Sequence, residues 1–307
     1  DFVLGGVLNA EKISGMEELL KFVFLLAFVG FGTKAAVFPM YAWLPAASVA
    51  PTPVTALLHA VAVVNAGAYA VLRVIYYSFG ASFLYGTWAQ TVALLLSCFT
   101  ILFGSTMAVR EQHFKRRLAY STISNLSYML MGAALMTPDG MTGSLSHLVI
   151  HGVIKITLFY CAGAILIKTG KEYVQDLRGY SRIMPATCGI FLLGSIALVG
   201  TPPLAGFVSK WNLLTAASAT GLPMGTVAIV CLIVSAILTA IYLFTAALPM
   251  YFRPLNADQA QLAGQKLDPS WMMLVPMGIL CALMIGLGLW SQPLVTFLRN
   301  ISAGVIF

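Results

Sequence analysis

Residues 144–167 read SLSHLVIHGVIKITLFYCAGAILI, an apolar run whose one formal charge is Lys155. About 20 largely apolar residues in a helix cross the hydrocarbon of a bilayer, so this stretch reads as a transmembrane helix with ionisable groups inside it. His147, His151 and Lys155 stand at i, i+4 and i+8, which puts all three on one helix face. At 1.5 Å per residue the row covers about 12 Å. A charge inside the bilayer costs about 3 kcal/mol on insertion scales, so three ionisable residues in register point to function. Histidine titrates near neutrality, and burial lowers the pKa of a lysine. Such a row suits a proton relay.

Similar apolar runs lie on both sides. They are 20–44, 53–76, 88–109, 118–136, 185–200, 203–219, 224–252 and 271–298, which makes nine candidate spans with 144–167. Runs 185–200 and 203–219 are either two short spans or one span broken at Pro202 and Pro203. The composition agrees with this reading. Of 307 residues, 60% are hydrophobic and 9% charged, and the mean hydropathy is +0.91. A soluble domain carries about 25% charged residues. The expected fold is an all-α integral membrane protein, a single multi-pass bundle over residues 1–307.

The net charge of +7 sits mainly in short loops, with no aromatic and basic ribbon to suggest a nucleic-acid surface. Residues 110–117 carry Arg110, Lys115, Arg116 and Arg117. Residues 168–184 carry Lys168, Lys171, Arg178 and Arg182. Two spans separate these loops, so both lie on one side, which the positive-inside rule makes cytoplasmic. Arg73, Arg110 and Arg299 read as interfacial anchors. Residues 253–270 form the longest polar connector. Cys98, Cys161, Cys188, Cys231 and Cys281 lie in apolar runs without metal-ligand spacing and read as small core residues. No signal-peptide pattern is visible at residues 1–20, and the chain starts at Asp1.

Two regions interrupt the helical pattern. Near 34–59 stand Pro39, Pro45, Pro51 and Pro53; near 195–215 stand Pro202 and Pro203. Proline removes a helical hydrogen bond and clashes with the preceding turn. Bare backbone at membrane depth survives only against protein or a water-lined cavity. A pair of broken segments in two halves fits an inverted-repeat transporter, although no residue-level repeat is visible. Each break carries ionisable groups. Lys34 lies about ten residues from either end of its run, too far to snorkel with ease. His59 follows Pro51 and Pro53 by about two turns. Lys210 follows Pro202 and Pro203 by about two turns, where snorkelling is an alternative to burial. The plain alternative is bracing between helices for Lys34 and a hydrogen bond to a freed carbonyl for His59. The ten acids lie outside the spans or at their edges, and none is well placed to pair with Lys34. No phosphate-cradling loop, nucleophile elbow or metal-ligand cluster is present, so chemistry on an organic substrate is not expected.

The sequence resembles the antiporter-like membrane subunits of respiratory complex I. The same family includes subunits of membrane-bound energy-converting hydrogenases and of multisubunit cation/proton antiporters. Four stretches carry the likeness: 34–45 (KAAVFPMYAWLP) with 50–59 (APTPVTALLH), 115–125 (KRRLAYSTISN), 147–159 (HLVIHGVIKITLF) and 200–210 (GTPPLAGFVSK). The resemblance implies that Lys34 is the lysine of the first broken helix and His59 the histidine of the next. It makes His147, His151 and Lys155 the central relay, and Lys210 the terminal lysine on the second broken helix. Together they would form a hydrated axis along the membrane middle.

Three departures stand out. Relatives have about fourteen spans, which leads to the expectation of an absent N-terminal region holding a glutamate partner for Lys34. Ala46 replaces an acid found in many relatives after Trp-Leu-Pro, and Asn65 stands where a lysine is common. The resemblance implies a proton-translocating subunit of a redox-driven complex, of the NADH:quinone oxidoreductase or energy-converting hydrogenase kind, in a prokaryotic cell (inner) membrane. Such a chain holds no cofactor itself. Iron–sulfur, nickel-iron, flavin or quinone groups would sit in partner subunits, which include other membrane subunits and a peripheral redox arm. The rivals are a Na+(K+)/H+ antiporter subunit without redox partners and a structural subunit that does not pump.

Overall fold

The computed structural model describes residue 8 and residues 15–48, 50–221, 223–256 and 264–304, so residues 257–263 of the 253–270 connector lie outside it. Among the described residues the regular elements are helices, and the extended backbone pairs in one bridge between His113 and Tyr173. In chain order the helices are α1 (Glu17–Gly32), α2 (Trp43–Ala47), α3 (Thr52–Ala60), α4 (Val63–Arg73), α5 (Ala81–Leu84), α6 (Trp88–Arg110) and α7 (Phe114–Ala134). They continue with α8 (Pro138–Thr169), α9 (Pro185–Val199), α10 (Ala205–Ala219), α11 (Pro223–Phe252), α12 (Trp271–Leu289) and α13 (Gln292–Ala303).

Helix α8 carries residues 144–167. Thr137 Oγ1 accepts from the Gly140 amide at 3.1 Å. Pro138 fills the first turn, where its missing N–H goes unused. Gly170 ends the helix at φ 67°, a left-handed conformation open to glycine. The most apolar window of α8 is 72% buried within the chain, against 39% for α11 and 11% for α12. Helix α8 therefore runs through the bundle, packed by α3, α7, α9, α10, α12 and α13, while α12 turns most of its surface outward.

Helix length and composition do not confirm the count of nine spans. Among the described residues, five helical stretches are long and apolar enough to cross a membrane: 52–79, 88–110, 138–169, 223–252 and 271–289. The shortfall has physical causes. Helices α9 and α10 are 15-residue segments on either side of the turn at 200–204. Helix α7 is buried along almost its whole length, so its polar side chains face protein and its hydropathy is low.

The run 20–44 is broken too. Helix α1 stops at Gly32, and residues 33–42 turn before α2. Pro39 cannot donate to the carbonyl four residues back and disfavours helical backbone at Phe38, and Ala36 is left-handed at φ 58°. Trp43 Nε1 donates to Thr33 O at 2.9 Å and ties the two sides of the break together. Pro51 caps α3 and Pro53 lies in its first turn, while Pro45 stands inside α2. The run 53–76 has an interruption of its own at Val61–Ala62, where Asn65 Nδ2 donates to Ala60 O at 2.9 Å.

The two basic loops meet, as their spacing requires. Phe114 N donates to Glu172 O at 2.8 Å, Val174 N to Gln112 O at 3.0 Å, and Gly179 N to Pro249 O at 3.0 Å. Loops 110–117 and 168–184 thus share one side with the C-terminal end of α11.

Candidate functional site

Lys155 is fully enclosed. Its Nζ donates to Leu118 O at 2.8 Å and to Ser121 Oγ, both on α7. One turn before it on α8, His151 is enclosed with neither ring nitrogen hydrogen-bonded among the described residues. Its ring stacks on that of His147, with centroids 5.7 Å apart. His147 Nδ1 lies 2.9 Å from Ser209 Oγ of α10, which leaves Nε2 unpartnered. The i, i+4, i+8 face therefore points inward along its length, and its histidine end touches the second broken helix.

Lys210 completes this corner. Its Nζ donates to Leu198 O at 2.8 Å and Val199 O at 3.1 Å. These are carbonyls at the C-terminal end of α9, which carries partial negative charge and lacks helical donors. The lysine is buried and turned inward, so snorkelling does not describe it. The break at 200–204 supplies the acceptors, and Gly200 makes the turn at φ 94°. Lys210 Nζ also stands 5.4 Å from the centre of the Tyr128 ring, and that ring meets His147 edge-on at 5.4 Å. Helices α7, α8 and α10 thereby gather Lys155, His151, His147 and Lys210 into one enclosed group.

His59 approaches from α3. It is enclosed and stacks on Phe159, four residues past Lys155 on α8, with ring centres 5.0 Å apart. Neither of its nitrogens has a hydrogen bond among the described residues. Lys34 is placed differently from the others. It is exposed at the surface of the chain, because α1 ends two residues earlier and carries the side chain outward. It lines an open pocket with Thr33, Trp43, Val63 and Gly67. The turn that bears it is packed tightly on α4, since a methyl on Gly67 would come within 2.7 Å of Lys34 Cβ. Among the described residues none of the three lysines forms a salt bridge. The ion pairs, Lys21–Glu18 and His113–Glu172, lie elsewhere.

A second set of polar groups was not picked out from the sequence. Tyr128 Oη donates to Ser235 Oγ at 2.7 Å, and Ser105 and Ser235 share a hydrogen bond of 2.6 Å. Asn125 Nδ2 donates to Ser121 O at 2.6 Å. Tyr242 Oη donates to Thr239 Oγ1 at 3.4 Å. The signal was available: Ser121, Asn125 and Tyr128 on α7, like Ser235, Thr239 and Tyr242 on α11, follow i, i+4, i+7 spacing. These hydroxyls extend from Lys155 across the buried faces of α7 and α11.

Comparison with known proteins adds a family. Residues 2–239 match the family described as NADH:quinone oxidoreductase/Mrp antiporter, TM. The chain belongs to this family. The four quoted stretches of this NADH:quinone oxidoreductase/Mrp antiporter member lie inside the matched region. Among its relatives is NADH-quinone oxidoreductase subunit N of Desulforudis audaxviator, 33% identical over 289 residues, which are 91% of this chain and 56% of the relative. Another is NADH-quinone oxidoreductase subunit L of Rickettsia conorii, 36% identical over 239 residues, 76% of this chain and 35% of the relative. The chain thus spans about half the length of the first and about a third of the second. Its fold matches a chain of the Mrp complex from Dietzia sp. DQ12-45-1b with a TM-score of 0.81 at 24% identity, covering 92% of this chain and 59% of that one. The all-helical membrane fold of the family is therefore the fold of this chain.

Proposed function

We propose that the chain is a proton-translocating subunit of a redox-driven membrane complex, and that it moves protons while partner subunits pass electrons. One observation carries the reading: Lys155, His151, His147 and Lys210 form a continuous enclosed group, and three nitrogens of the two histidines have no hydrogen-bond partner among the described residues. Buried polar atoms require hydrogen-bond partners, and internal water is the ordinary one in a polar interior. In this reading internal water completes the hydrogen bonding of His151, which stands between His147 and Lys155 on one helix face. Lys155 donates from Nζ to a carbonyl and a hydroxyl oxygen and Lys210 to two carbonyls, and among the described residues neither pairs with a carboxylate. Each histidine accepts a proton at one nitrogen and releases one from the other, so it passes charge on with a change of tautomer. His59 extends the row toward the first break, where Lys34 stands exposed and apart from the enclosed group. The break at 200–204 leaves the carbonyls of Leu198 and Val199 to accept from Lys210.

The names of the two curated relatives support a redox partner, and their membrane subunit character supports assembly with other membrane subunits. The cofactors belong to those partners in this reading, and the membrane is the inner membrane of a prokaryote. The family's description favours a second reading, a subunit of a cation/proton antiporter without redox partners. Gentle purification from the native membrane, followed by identification of the accompanying subunits, separates the two. Iron–sulfur, hydrogenase or quinone-module subunits are the expected result. Recovery with small membrane subunits alone would replace the redox reading with the antiporter.

A further inference from the structure

On the side where the two basic loops meet, a pocket of about 300 Å³ opens between α7, the 174–178 turn and the end of α11. Arg117, Arg178 and Arg253 line it, along with Gln112, Gln175 and Thr245, and among the described residues no acid does. The walls are fixed. Arg117 Nε donates to Glu111 O at 2.8 Å, and its Nη1 donates to Tyr242 O and Thr245 Oγ1, both at 2.9 Å. Gly179, at φ 72°, bonds Pro249 O and leaves no room for a Cβ against Pro254 and Leu255. The turn bearing Arg178 is thereby held against the helix end bearing Arg253. Neither Arg178 nor Arg253 forms a salt bridge among the described residues.

The pocket continues into a wide apolar groove of about 590 Å³ along α11, with Thr245, Pro249 and Arg253 common to both. Ile241, Phe244, Leu248 and Phe252 line the groove at i, i+3, i+7 and i+11, one face of the helix. Phe252 is 82% exposed in this chain.

We infer that this pocket and groove form a binding site for an anionic phospholipid, with its phosphate among the three arginines and an acyl chain along α11. Arginine presents planar paired donors that suit phosphate oxygens, and basic pockets between membrane helices on the cytoplasmic side hold acidic headgroups. A free phosphate would use the arginines alone. The apolar groove leading out of the pocket selects a molecule with both parts.

The site is tested on the full chain, purified in mild detergent with its native partners, by its thermal stabilisation on adding phosphatidylglycerol, phosphatidylcholine or inorganic phosphate. Phosphatidylglycerol stabilises the wild type, and the other two do so weakly. In R178Q/R253Q the phosphatidylglycerol concentration for half-maximal effect rises at least tenfold. In L248W, which fills the groove without touching the arginines, it also rises. An unchanged phosphatidylglycerol response in R178Q/R253Q overturns the proposal. So does a response to inorganic phosphate equal to that of the lipid.

Discussion

Gly206 is the tightest point of the second break, and replacing it with alanine tests whether the Lys210 corner depends on that closeness. A Cβ at 206 would overlap the carbonyl oxygen of Ala197 and lie 2.9 Å from its carbonyl carbon. Methyl and carbonyl groups meet at about 3.3 Å, so α9 and α10 must separate by roughly 1.5 Å. That shift is large beside the bonds spanning the same gap, Lys210 Nζ to Leu198 O at 2.8 Å and to Val199 O at 3.1 Å. It also pulls Ser209 from His147 Nδ1, now 2.9 Å away. Overpacking costs about 1–3 kcal/mol, and hydrogen bonds to a charged group are worth about 1.5–3 kcal/mol each. A loss of about 3 kcal/mol is expected, or roughly 6–12 °C in melting temperature at about 2–4 °C per kcal/mol. The assay is thermal unfolding of the purified protein in mild detergent. Gly30→Ala is the control, because a Cβ at 30 meets nothing within 4 Å; it should leave stability unchanged or slightly raised. If Gly206→Ala melts with the wild type, the close packing of α9 on α10 does not hold Lys210, and the reasoning is wrong.

Gly67→Ala should act in the same way at the first break. Its Cβ would fall 2.6 Å from Ala35 N, so the turn carrying Lys34 must shift, and faster proteolysis of residues 33–42 would register it. Ser235→Ala should lower stability by about 1–2 kcal/mol, because Ser235 joins Ser105 to Tyr128 in the interior; an unchanged unfolding curve would remove that network from the account. Asp268→Ala should cost about 1 kcal/mol. The carboxylate accepts from Ala186 N and Thr187 N at the start of α9, at 3.1 and 3.0 Å, and hydrogen exchange at those two amides should rise.

The legible parts of the sequence were those set by local periodicity. The inward face of α8 follows from the i, i+4, i+8 spacing of His147, His151 and Lys155, and it holds because α8 is surrounded by protein. The partnership of the two basic loops follows from the two spans between them. What escaped was tertiary. Helix α7 was readable as a span but not as a fully enclosed one, since its burial comes from its neighbours. The interruption at Val61–Ala62 has no proline or glycine to announce it, and Asn65 stabilises it from four residues beyond. Lys34 sits deep within an apolar run, yet the chain turns at residue 33 and brings it to the surface. The depth of Lys210 depends on carbonyls that α9 presents only after the turn at 200–204 is folded.

The central claim is that protons pass through the enclosed row, and Lys155→Met tests it most directly. Methionine keeps similar volume and removes the exchangeable proton. Leu118 O retains Ser121 Oγ and Thr122 Oγ1 as donors, each at 3.1 Å, so the fold should survive with a melting temperature within about 3 °C. The measurement is proton uptake driven by the native electron donor in inside-out membrane vesicles, with electron transfer recorded in parallel. The account predicts that Lys155→Met assembles normally and that its proton uptake falls at least about 10²-fold, the lower end of the roughly 10²–10⁴-fold range typical of a positioned proton-transfer group. Assembly at wild-type levels with wild-type proton uptake would contradict it.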